Sequence, residues 1–219
     1  MAAASAASRG SAGIVVPWET YLQYKDLRLL ETHYPAMAAY VDYLETTIDP
    51  KTGLSRDAQM GDWLGPQNNA LGTAFLVTAY HAYDLGIMAR VAELLGKPGD
   101  AARYRSLYEK RKVFFNGTFV NAEKTLATGG AFGGFGGGVG PAKPPEFRVA
   151  DTQTSYAVGL GMGLFDAALV PDMVARLADA VARQTWRVPL LGMLWTTLLV
   201  VPSVIAAQMP PWWAFAGAA

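Results

Sequence analysis

Apolar side chains recur at steps of four and three after Asp26: Leu30, Tyr34, Met37, Val41, Leu44 and Ile48. That spacing puts them on one face of a helix. The helix should end at Asp49-Pro50-Lys51-Thr52-Gly53, because proline disfavours a helical conformation in the residue before it. The same period returns at Leu71, Ala74, Thr78, His81, Leu85, Met88, Ala92 and Leu95, which predicts a second long helix over 68–95. Gly96-Lys97-Pro98-Gly99 stops it, and Asp100 is placed to cap a third helix over 101–115. A shorter apolar helix is expected over 14–24, and two more over 152–164 and 172–182.

No window alternates with period two. Residues 113–120 are apolar enough for an extended segment, but they follow directly from a helix and contain the turn signal Asn116-Gly117. The pattern therefore predicts an all-α fold of successive antiparallel helix pairs, of the toroid or solenoid kind. No internal repeat identifies a named repeat architecture. The glycine-rich run over 129–140 has neither the Gly-Lys-Ser/Thr of a phosphate loop nor a preceding strand, so it reads as a flexible loop.

Composition changes this picture in one place. Charged residues are 16% of the 219, against a typical share of about 25%, and after Arg187 there is no Asp, Glu, Lys or Arg at all. The 18 basic and 18 acidic residues balance, and no basic stripe marks a nucleic-acid surface. Arg103, Arg105, Lys110, Arg111 and Lys112 are interrupted by Glu109 and read as a solvated helix face. The absence of cysteine excludes disulfides and thiolate chemistry. The two histidines, His33 and His81, are far apart in sequence and read as surface or satisfied core positions, so no metal or other cofactor is expected. The opening 1–12 is small and polar, with no secretory core, and reads as a disordered lead-in or the edge of a truncated gene product.

Several phrases together resemble the catalytic domain of the α-L-rhamnosidases. They are Gly13-Ile14-Val15-Val16-Pro17-Trp18, Tyr21-Leu22-Gln23-Tyr24, Tyr34-Pro35-Ala36-Met37, Val41-Asp42-Tyr43-Leu44, Gly61-Asp62-Trp63-Leu64, Ala101-Ala102-Arg103-Tyr104 and the block from Ala150-Asp151-Thr152 to Ala157. The ordered set runs from about Gly10 to Ala182. The resemblance implies a six-hairpin (α/α)6 toroid, of which the predicted helices make roughly half, and an inverting hydrolysis of terminal α-L-rhamnose in a glycoside or glycan. Inversion needs two carboxyl groups about 6.5–9.5 Å apart, flanking the scissile bond. The resemblance implies the acid upstream of Gly13 and the base downstream of the Asp151 block, so no catalytic residue is assigned and the chain is expected to be inactive as written. Ser11 also departs from the family pattern, which often has aspartate there.

Asp62 and Trp63 are the candidate substrate-binding residues. A tryptophan face stacks on the apolar side of a pyranose, and a carboxylate accepts hydrogen bonds from neighbouring hydroxyls. The competing reading makes Asp62 a helix cap and Trp63 core. Glu19 reads as a first-turn charge after Pro17, Asp151 as an N-cap, and Asn116-Gly117-Thr118 as a glycosylation triplet of the kind that arises by chance.

The apolar segment 188–208 is about 20 residues long, with Trp186, Trp212 and Trp213 around it and Pro189, Pro202 and Pro210 in or beside it. It reads as a tail foreign to the domain, as a membrane segment, or as buried core. The expected organisation is thus a lead-in over 1–12, a partial glycosidase-like helical domain over 13–183, and a tail over 184–219. The alternative to a glycosidase is a non-catalytic sugar-binding or scaffold domain, membrane-tethered through 188–208.

Overall fold

The computed structural model describes residues 10–56, 71–129, 147–149 and 152–184. Six helices account for most of them: α1 (Ala12–Tyr24), α2 (Leu27–Thr47), α3 (Thr73–Leu94), α4 (Pro98–Phe119), α5 (Gln153–Gly161) and α6 (Val170–Gln184). Between α4 and α5, β1 (Ala127–Gly129) pairs antiparallel with β2 (Phe147–Val149), with Ala127 opposite Val149. This two-stranded ladder is a departure from the strand-free expectation. Three residues per strand are too few for a period-two signal to register. The chain divides into two compact units, residues 1–177 and 178–219. The described part of the second is the final turns of α6.

The α2 stripe is as its spacing requires. Leu30, Tyr34, Met37, Val41 and Leu44 are buried, whereas Ile48 has left the helix with ψ at 124°. Asp26 caps α2 by accepting the Arg28 N–H at 3.1 Å. Beyond Ile48, the Asp49 carboxylate accepts the N–H groups of Lys51 and Thr52, and Gly53 turns the chain with φ at 71°. A side chain at position 53 would be strained by that φ, and its Cβ would stand 2.4 Å from the Phe114 ring.

Several helix boundaries differ from expectation: α3 begins at Thr73, after Gly72, rather than at 68, and α5 ends at Gly161 rather than 164. The start of α4 is at Pro98 rather than Ala101, because proline at the first helical position has its φ preset and lacks only an N–H that would be unpaired anyway. Asp100 therefore lies inside the first turn, and its carboxylate accepts the Tyr34 hydroxyl at 2.7 Å instead of capping. The same helix runs through Asn116-Gly117 to Phe119. Asn116 does not turn the chain there, because its amide donates to the Lys112 carbonyl and to that of Leu164, both at 2.8 Å. The N-cap of α5 is Thr152, with Ser155 completing a reciprocal capping box, so the expectation that Asp151 caps this helix is displaced by one residue.

α3 organises the packing. Thirteen of its residues are buried, including Phe75, Leu85, Met88 and Val91, and they lie all round the helix. A helix apolar on every side needs neighbours on every side. α1, α2 and the start of α4 enclose its C-terminal half with Ile14, Trp18, Met37, Val41 and Tyr104. The C-terminal part of α4, with α5 and α6, encloses its N-terminal half. There Phe115 sits 5.2 Å from Phe75, 5.3 Å from Phe119 and 5.9 Å from Phe165, centroid to centroid. Each of these tilted ring pairs adds to the stabilisation from burial alone. Phe115→Ala should therefore destabilise the fold by about 3–5 kcal/mol. Urea unfolding read by circular dichroism checks this, and a loss under about 1 kcal/mol would show that the cluster collapses onto the gap without penalty.

Candidate functional site

α1, α3 and α5 run in the same direction. Glu45 near the end of α2 meets His81 in the first half of α3, and Tyr34 nearer its start meets Asp100 just beyond the end of α3, so α3 is antiparallel to α2; α1 is antiparallel to α2 across a two-residue connection, with Gly10 against Tyr40. Tyr156 of α5 belongs to the cluster around Phe75, while Met162 just beyond α5 lies beside Gly86 and Arg90. The connections at the C-terminal ends of α1 and α3 are short, Lys25–Asp26 and Leu95–Lys97. Those leading into the N-termini of α3 and α5 are long, 48–72 and 120–152. Long loops over helix N-termini, where backbone N–H groups lack helical partners, are where a rigid helical array presents binding groups.

Asp62 and Trp63 belong to the 48–72 connection but lie outside the described residues, as does Asp151. The frame that holds the connection is described on both sides. Arg56 is fastened to the end of α2: its N–H donates to the Thr47 carbonyl at 2.9 Å and its guanidinium reaches the Thr46 carbonyl at 3.3 Å. On the far side Leu71 is 1% exposed at the foot of α3.

Beneath this end three side chains join three helices. His81 Nε2 is 2.9 Å from Glu45 Oε1, and Arg111 Nε is 3.9 Å from the same oxygen. Arg111 also donates to the Gly53 carbonyl at 3.0 Å, which ties the root of the connection to α4. Burial pushes the Glu45 carboxyl up, but His81, Arg111 and Arg103 outweigh it and hold the group below its usual range. Burial lowers the Arg111 pKa. These groups face one another and position the loop. His81 is thereby a core histidine, 2% exposed, set against the Glu45 carboxylate.

Asp84 is a buried carboxyl that the sequence reading passed over. It is fully buried in α3, and its Oδ2 accepts the Ser11 hydroxyl at 2.6 Å while Oδ1 has no partner. Desolvation pushes its pKa to about 8, against which the Ser11 hydrogen bond acts. Ser11, singled out above as lacking a charge, is thus the donor that joins the start of α1 to α3. The signal for Asp84 was available: a lone acid inside Tyr80-His81-Ala82-Tyr83-Asp84-Leu85, in register with the buried Thr78, His81 and Met88.

A family described as the bacterial alpha-L-rhamnosidase 6 hairpin glycosidase domain matches residues 3–204. The chain belongs to that family. The α-L-rhamnosidase of Streptomyces avermitilis is 31% identical over 178 residues, which is 81% of this chain and 15% of that protein. That of an Alteromonas species is 27% identical, over 71% of this chain and 15% of the relative. The crystal structure of the Streptomyces avermitilis enzyme complexed with L-rhamnose superposes with a TM-score of 0.64 at 28% identity, covering 80% of this chain and 14% of that one. The α-L-rhamnosidase from Dictyoglumus thermophilum gives 0.62 at 25% identity, covering 82% and 18%. The chain spans about 15% of the length of the curated relatives it matches.

Within this six-hairpin glycosidase domain the described helices are a partial (α/α)6 toroid. The matched residues continue past Ala182 to residue 204, through most of the charge-free segment. That segment, 188–208, lies outside the described residues, and among the described residues no helix is long and apolar enough to cross a membrane. One smaller reading is corrected and another is supported. Glu19 lies in the middle of α1, not in its first turn, because the helix begins at Ala12. Asn116 cannot take a glycan in the folded chain, since it is 7% exposed and its amide nitrogen is committed to two carbonyls.

The Asp84 environment has a consequence for stability. A carboxyl that titrates at about 8 when folded and near its ordinary value of 3.8 when unfolded holds its proton more tightly in the native state. Stability should then fall as pH rises between those two values. Asp84→Asn should remove that slope and be more stable than wild type at pH 8, by up to a few kcal/mol, with little or no gain at pH 4. Urea midpoints at the two pH values test this, and a wild-type midpoint independent of pH would show that Asp84 is not protonated in the fold.

Proposed function

We propose that this chain supplies part of the rhamnose-binding wall of a glycosidase acting on terminal α-L-rhamnose, and that by itself it binds the sugar without hydrolysing the bond. The observation that carries the reading is the family match over residues 3–204, together with a structural relative that holds L-rhamnose. Trp63 would stack on the apolar face of the sugar, and Asp62 would accept hydrogen bonds from two of its hydroxyls. Both belong to the connection rooted by Arg56, Arg111 and Leu71, which leads into the N-terminus of α3.

Hydrolysis with inversion requires a protonated acid and an ionised base on opposite sides of the glycosidic bond. The described carboxylates near this end, Glu45 and Asp49, are already engaged, one with His81 and Arg111 and the other with backbone N–H groups. Neither has the freedom to protonate a leaving group or activate water. The family resemblance implies an acid and a base outside the matching blocks, and the chain spans only about 15% of its curated relatives. A helical scaffold with no sugar affinity is the second reading, and the binding measurement below separates the two.

The purified chain should release no chromophore from a chromogenic α-L-rhamnoside above background, beside an intact α-L-rhamnosidase as positive control. It should nevertheless bind L-rhamnose by calorimetry, and Trp63→Ala should abolish that binding with helicity unchanged. No detectable binding by the wild-type chain would favour the scaffold reading. Turnover that survives purification and is lost in Asp62→Asn would overturn the proposal and make Asp62 catalytic.

A further inference from the structure

A cleft lies on the half of α3 and α4 remote from the 48–72 connection. Its volume is about 290 Å³, and its walls include Gly86, Arg90 and Glu93 from α3 and Arg105, Tyr108 and Glu109 from α4. That size is near the lower limit of small-molecule sites, about 300 Å³. Arg105 and Glu93 form an ion pair with each other, so their charges are already matched. Arg90 and Glu109 remain, exposed and of opposite sign. The lining therefore has no excess charge with which to select an anion or a cation. Four charged side chains around so small a volume also disfavour a purely apolar ligand, because their desolvation would go uncompensated.

One wall is an ordered ring. Tyr108 donates its hydroxyl to the Gly163 carbonyl at 3.0 Å, and burial, with the nearby Glu109, keeps its phenol protonated above the usual range. Gly86 backs that ring closely: a Cβ at that position would lie 3.4 Å from two carbons of the Tyr108 ring, in van der Waals contact. The cleft thus offers a fixed aromatic surface, a guanidinium that only donates hydrogen bonds and a carboxylate that only accepts them. A pyranose has matching character, with an apolar C–H face and hydroxyls that donate and accept. We propose that this cleft binds one neutral saccharide unit, with the Tyr108 ring against its C–H face and Arg90 and Glu109 hydrogen-bonded to its hydroxyls. The site is separate from the Asp62–Trp63 connection and does not depend on the rhamnoside reading.

The test is a titration of the isotope-labelled full chain with methyl α-D-glucopyranoside and with methyl α-L-rhamnopyranoside, followed by amide chemical shifts. Saturable shifts at Gly86, Arg90 and Glu109 with either glycoside are expected. Glu109→Ala should weaken them about tenfold or more, and Gly86→Leu, which fills the cleft, should remove them. Should Gly86→Leu fail to fold by circular dichroism, the exposed Glu109→Ala decides alone. Trp63→Ala should leave these shifts unchanged, which separates this cleft from the rhamnose site. The proposal is overturned if neither glycoside gives saturable shifts at these amides, if Glu109→Ala leaves the affinity intact, or if glycine betaine saturates the cleft where the glycosides do not.

Discussion

The enclosure of α3 is the constraint on which the rest of this structure depends. A helix with Phe75, Val77, Leu85, Ile87, Met88 and Val91 distributed around its axis has no face to give to water. Each such side chain contributes about 1.5–3 kcal/mol when fully buried, so neighbours must come from several directions at once. α1, α2 and the start of α4 cover its C-terminal half with one cluster, and the rest of α4 with α5 and α6 covers its N-terminal half with another. Gly159 belongs to this economy of space, because a Cβ there would stand 2.3 Å from the Phe165 ring that helps close the second cluster.

Burial alone would allow α3 to slide or rotate among its neighbours. The polar groups set into it fix the arrangement. His81 meets Glu45 of α2, and Asp84 meets Ser11 at the start of α1. Each contact works at one register only, since a shift by one residue would bury an unpaired polar group. The two differ in kind. Glu45 is flanked by cations and stays ionised, whereas Asp84 has one hydroxyl donor and no cation, so burial favours its neutral form. Asn116 does the same for the segment after α5, where its side-chain oxygen accepts the Asp166 N–H at 3.3 Å while its nitrogen donates to Leu164.

What the sequence disclosed follows from the range of the interactions concerned. The helix stripes are local and strong, so α2 and α3 were legible, and Pro50 ended α2 where its sterics require. The ordered family phrases disclosed the partial toroid, as superposition on α-L-rhamnosidases shows. Boundaries that depend on a distant partner were not legible. Asp100 looked like a cap until Tyr34, 66 residues away, is seen to use its carboxylate. Asn116-Gly117 looked like a turn until Leu164 is seen to hold the amide. At the candidate site the residue types of Asp62 and Trp63 were readable as sugar-binding chemistry. The residues that root their loop were not, because Arg111 reaches the Gly53 carbonyl across 58 positions of sequence. Asp84 was visible as an acid in an apolar run, yet its meaning rests on Ser11, 73 residues earlier.

The two ends of the parallel helices α1, α3 and α5 are built for different purposes, and chain length decides which is which. A connection of two or three residues, such as Lys25–Asp26 or Leu95–Lys97, has little freedom beyond what closes the hairpin. A connection of twenty or more residues has freedom that something must restrain before it can hold a ligand in one pose. The 48–72 connection meets that need from both sides: Arg56 and Arg111 hold its first part to the ends of α2 and α4, and Leu71 sinks into the core where it ends. The electrostatics support the same division. Glu45 offsets the charge of Arg111 within the roots, which leaves the Arg56 guanidinium and the dipole at the start of α3 as local sources of positive potential.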